Sequence, residues 1–121
     1  MLPEVLYLAH TVLELVLGAL KLRGRYHHEA AGSKPAKSQM YTRHHGFSLL
    51  SIALLGALIL RAGLVNHEAG WIASVVMFAF HGGAVAAFLY TYAEGAIPFS
   101  KVLVPHAPFA VGFAMHCVSF S

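Results

Sequence analysis

The stretch "GWIASVVMFAFHGGAVAAFLYTYA", Gly70–Ala93, contains no Asp, Glu, Lys or Arg. A helix rises about 1.5 Å per residue and crosses a bilayer in roughly 20 residues, so this stretch reads as a transmembrane helix. One histidine, His81, stands in its apolar middle and is followed at once by Gly82 and Gly83. On either side the same pattern recurs: residues 3–22, 47–65 and 98–119 are also long and apolar enough to span. Between them lie a polar loop at 23–46 and two short connections, "VNHEAG" and "EGAIPFS". Short connections make successive helices antiparallel. The expectation is an all-α, four-helix transmembrane bundle running up-down-up-down, one integral membrane domain over 1–121.

Composition supports this reading. The chain is 58% hydrophobic and 11% charged, against about 25% charged in ordinary soluble domains. That balance argues against a water-soluble monomer. The first apolar segment has no basic leader, carries Glu4 and Glu14, and lacks a small-x-small cleavage site, so it reads as a mature helix rather than a signal peptide. Cys117 is the single cysteine, which excludes an intrachain disulfide and a CxxC redox motif.

Net charge is +3, and six of the eight basic residues (Lys21, Arg23, Arg25, Lys34, Lys37, Arg43) fall between the first and second spans. The positive-inside bias places that loop on the cytoplasmic or equivalent side and both termini opposite. Topology thus accounts for the charge without a nucleic-acid partner. Asn66 is positioned to cap the third helix, and Trp71, Tyr90 and Tyr92 fall near its ends, at headgroup depth. Pro105 and Pro108 flank His106 and are expected to kink or break the fourth span.

Glu4, Tyr7, His10, Glu14, Gly18 and Lys21 recur at three- and four-residue spacing and form one stripe of the first helix. A carboxylate at mid-bilayer costs at least about 2.5 kcal/mol, so Glu14 is expected to face the bundle interior. Counting residues from each membrane face puts Glu14, His81 and His106 near the midplane and His10 about one turn above. His116 falls near the outer end and reads as interfacial.

Three uses follow for these residues. His81 and His106, with His10 and Glu14 nearby, could bind a histidine-ligated cofactor such as b-type haem or a pigment, with Gly82 and Gly83 admitting a flat ring. His10, Glu14 and His81 could instead form a proton relay or a pocket for a small ligand. Alternatively they are packing polars that hydrogen-bond neighbouring helices, the small pairs Gly82/Ala86, Gly83/Ala87 and Ala79/Gly83 marking close helix contact. In the loop, "YHHE" and "RHHG" supply His27, His28, Glu29, His44 and His45, donors suited to zinc, copper or iron. No Asp is present to orient a histidine, which speaks against a nucleophilic enzyme.

The end of the first span, "LGALKLRG" at Leu17–Gly24, with Gly18, Lys21 and Leu22 in a Gly-x-x-Lys-Leu run, resembles the small DoxX-like membrane families. The resemblance implies a four-helix bundle with accessory, redox-associated or chaperone-like roles and carries over no catalytic residue. Together with the small size, it points to an accessory or assembly subunit of a larger membrane complex or a self-associating bundle. The expected partners are the lipid bilayer and either a membrane protein or further copies of the chain.

Overall fold

A computed structural model describes residues 2–23, 35–95, 99 and 106–120, with the backbone alone at 35–39. Among these residues the chain is all-α, with four helices: α1 (Leu2–Leu22), α2 (Pro35–Arg61), α3 (Glu68–Ala93) and α4 (His106–Ser119). This is the expected helical bundle. Three of them, α1, α2 from Met40 onward, and α3, are long and apolar enough to cross a membrane. Helix α4 has 14 residues; the N-terminal part of the expected 98–119 span lies mostly outside the described residues.

The helices are amphipathic in the sense opposite to those of a soluble protein. On α1 the buried positions are Tyr7, His10, Glu14 and Gly18, whereas Leu8, Val12, Leu15 and Val16 are exposed. On α3 Ser74 and His81 are fully buried while Ile72, Val75, Val76 and Phe78 face outward. Polar groups inside and large apolar groups outside suit a hydrocarbon solvent, where a polar side chain must find its partner within the protein.

Helix α2 starts earlier than its apolar pattern suggested. The stretch at 35–46 is helical, because Pro35 occupies the first turn, where its missing N–H costs nothing. Ala36, Lys37, Gln39 and Met40 then favour helix. The same helix stops at Arg61, short of the expected residue 65. Gly63, at φ 67, ends it in a Schellman turn: its N–H donates to the Leu60 carbonyl and the Leu64 N–H to the Ile59 carbonyl. Helix α3 follows with His67 as an extended N-cap residue whose side chain makes no capping bond. Asn66 is not the cap; its amide donates to Glu4 Oε1 at 2.7 Å.

The described chain divides into two compact units, Tyr7–Leu58 on the one hand and Met1–Leu6 with Ile59–Ser121 on the other. In the first, α1 and α2 are antiparallel, since Leu22 and Gly18 meet Gly46 while Gly18 also meets Leu50. A Cβ on Gly18 would stand 2.9 Å from Leu50 Cγ and 3.0 Å from the Gly46 carbonyl oxygen, so only glycine permits this backbone approach. Buried Thr42, Leu49 and Ala53 continue the same face of α2. In the second unit α3 packs on α4, also antiparallel: Trp71 Nε1 donates to the Cys117 carbonyl, Ser74 meets His116, and His81 meets His106. Leu6 seats against Gly112 at the α1 end of this unit.

Candidate functional site

The α3–α4 seam is built around two imidazole contacts. Ser74, Met77 and His81 follow one another at three- and four-residue steps on the buried face of α3, opposite His106, Phe113 and His116 of α4. Midway along α3 and at the first residue of α4, the Nδ1 atoms of His81 and His106 lie 3.0 Å apart, with His81 fully buried and His106 7% exposed. For two ring nitrogens to bond, one ring must carry its proton on Nδ1 and the other must present Nδ1 bare, with its proton on Nε2. The contact therefore fixes opposite tautomers in neighbouring rings.

Phenyl rings close around this pair. His81 stacks on Phe113 at 6.3 Å and 5° and tilts against Phe109 at 5.4 Å. His106 stacks on Phe88 at 5.6 Å, and Phe80 presents its edge to both imidazoles. An aromatic enclosure of this kind strengthens the N–H···N bond by excluding competing water.

Two turns toward the start of α3 is the second contact, Ser74 Oγ to His116 Nδ1 at 2.7 Å, both side chains buried. His116, read from the sequence as lying near the outer end of its span, is buried against α3 rather than turned outward. The Ser74 signal was present in the sequence, one heptad before His81 on the same face. Glu4, which accepts from Asn66, lies within coulombic reach of His116.

In the other unit, His10 Nε2 and Glu14 Oε1 are one turn apart on α1 at 4.0 Å, and both side chains are fully buried. The stripe read from the sequence is the buried face of α1 at Tyr7, His10, Glu14 and Gly18.

His81 and His106, the pair read from the sequence as candidate cofactor ligands, are brought together across the seam, with ring centroids 5.2 Å apart. Among the described residues of this chain no helix packs closely on the two glycines after His81. A Cβ on Gly83 would meet nothing within 4 Å and one on Gly82 only Phe78, at 3.9 Å. At about 100° per residue, the two positions after an inward-facing histidine turn away from the seam.

Of the metal-donor set proposed for the loop, His27, His28 and Glu29 lie outside the described residues. His44 and His45 lie in helix α2, not in a loop. His45 Nδ1 is 3.2 Å from Lys21 Nζ.

Comparison with known protein families, with curated proteins and with solved structures finds no match for this chain.

Proposed function

We propose that the protein is a small multi-pass membrane protein that works by association, as an accessory or assembly subunit of a larger membrane complex or as a self-associating bundle. The inverted amphipathicity carries this reading: buried Tyr7, His10, Glu14, Ser74 and His81 face inward, while large apolar side chains such as Leu8, Leu15, Leu54, Leu58 and Val76 face outward along the spans. Imidazoles that bond a neighbouring helix serve as interhelical glue. What is left for other molecules is the apolar exterior and the basic end of the α1–α2 pair. The resemblance to DoxX-like families fits the same role.

Cross-linking in intact membranes, followed by particle mass in mild detergent, tests it. The reading expects a defined multiple of the 13.0 kDa chain, or a fixed stoichiometric complex. A chain that stays monomeric in both settings would end it.

A second reading rests on the His81–His106 bond. Two imidazoles joined through Nδ1 can take up one extra proton and keep their bond, because an imidazolium N–H still donates to the neutral ring. In this reading the pair stores or passes protons within the bilayer. Vesicles carrying a pH gradient and an internal pH dye test it: proton flux above empty vesicles, lost in His81→Phe, supports the role, and flux equal to empty vesicles excludes it.

A further inference from the structure

The basic end of the α1–α2 pair is more than a topology signal. Close approach of Gly18 and Gly46 holds the last turn of α1 against α2, which brings Lys21 Nζ to 3.2 Å from His45 Nδ1. In that contact the ring nitrogen accepts from the ammonium. Lys21 therefore keeps two N–H donors, and His45 carries its proton on Nε2 as a further donor. Arg43, exposed, lies on the opposite flank of the Gly46 face at about 100° per residue, and exposed Arg23 follows the end of α1.

Charge and depth favour an anionic ligand here. Lys21, Arg23 and Arg43 are set against a single carboxylate among the described residues of this unit, Glu14, which is buried and acts on Lys21 from two turns away. The apolar stretch of α1 ends at Leu22 and that of α2 begins at Met40, so the cations cluster where the two spans leave the membrane on one face. Met40 and Tyr41, on the loop side of Arg43, and Phe47, on its membrane side, are 59%, 58% and 62% exposed, an apolar and aromatic surface flanking the cations.

We propose that the basic rim of this pair, with Lys21 and His45 on one flank, Arg43 on the other and Arg23 at the end of α1, recruits the phosphate headgroups of anionic phospholipids, whose acyl chains run into the bilayer past Phe47. The proposal rests on the membrane placement of α1 and α2. A soluble phosphate would meet the same donors, but the exposed apolar collar favours the lipid. Each Lys or Arg near an anionic bilayer surface contributes about fivefold in affinity, the equivalent of ~1 kcal/mol.

Resistance to alkaline carbonate extraction first tests the placement itself; release of the chain would end the membrane reading before any lipid is considered. For the site, the purified full chain in neutral detergent is titrated with phosphatidylglycerol or phosphatidylcholine and bound lipid is counted by native mass spectrometry. Preferential retention of phosphatidylglycerol is expected, about fivefold weaker in Lys21→Gln and in Arg43→Gln and unchanged in Arg61→Gln at the other end of α2. Helical circular dichroism confirms that the variants remain folded. Equal retention of both lipids, or variants indistinguishable from the parent, would overturn the proposal. Displacement of phosphatidylglycerol by inorganic phosphate at equal concentration would also overturn it, by assigning the site to the soluble anion.

Discussion

Replacing both histidines of the α3–α4 seam should harm the protein less than replacing either one. In His81→Phe the Nδ1 of His106 faces a phenyl ring instead of its partner at 3.0 Å, and in His106→Phe the reverse holds. A buried polar atom stripped of its hydrogen bond costs about 1–3 kcal/mol, and interhelical bonds in membrane proteins average about 0.6 and reach about 1.7 kcal/mol. Each single variant should therefore lose about 1–2 kcal/mol. The double variant puts two apolar rings of similar shape among Phe80, Phe88, Phe109 and Phe113, and should fall within about 1 kcal/mol of the parent. The assay is equilibrium unfolding in mixed micelles with a rising fraction of harsh detergent, followed by helical circular dichroism. If the double variant loses the sum of the two singles to within about 0.5 kcal/mol, the rings are not coupled and the seam has been misread.

Other perturbations probe the neighbouring contacts. A Cβ at Gly70 would overlap the carbonyl oxygens of Leu64 and Val65, so Gly70→Ala should cost about 1–3 kcal/mol in the same unfolding assay, whereas Gly83→Ala, where a Cβ meets nothing, should cost nothing measurable. Gly46→Leu should separate α1 from α2, because a Cβ there already stands 3.0 Å from the Gly18 carbonyl oxygen; loss of a cysteine cross-link engineered between the two helices reports it. Asn66→Ala removes the donor to Glu4 and should lower stability by about 0.5–1.5 kcal/mol, with Asn66→Asp at least as damaging because it opposes two carboxylates.

The sequence was informative wherever helical period and depth suffice. Three- and four-residue spacing marked Tyr7, His10, Glu14 and Gly18 as one buried face, and counting 1.5 Å rises brought His81 and His106 to the same level, where they meet. What escaped it depends on which neighbour a side chain turns toward. That His116 has a partner in Ser74 across the seam is invisible to spacing along either helix alone. The glycines after His81 looked like contact residues, but the tight approach lies at Gly18 and Gly46, whose significance appears only once two helices are paired. The α2 boundary was missed at both ends for a local reason, since Pro35 opens a helix as readily as it breaks one and Gly63 closes it before the apolar run is over.

The central claim is that two buried imidazoles of opposite tautomer join α3 to α4. Nitrogen-15 NMR of the histidine-labelled protein in lipid tests it most directly, by looking for scalar coupling between the two Nδ1 nuclei across their shared proton. A His81–His106 cross-peak, with one Nδ1 protonated and the other bare, is the predicted result. Two histidines protonated at the same ring position, with no coupling between them, would contradict the account.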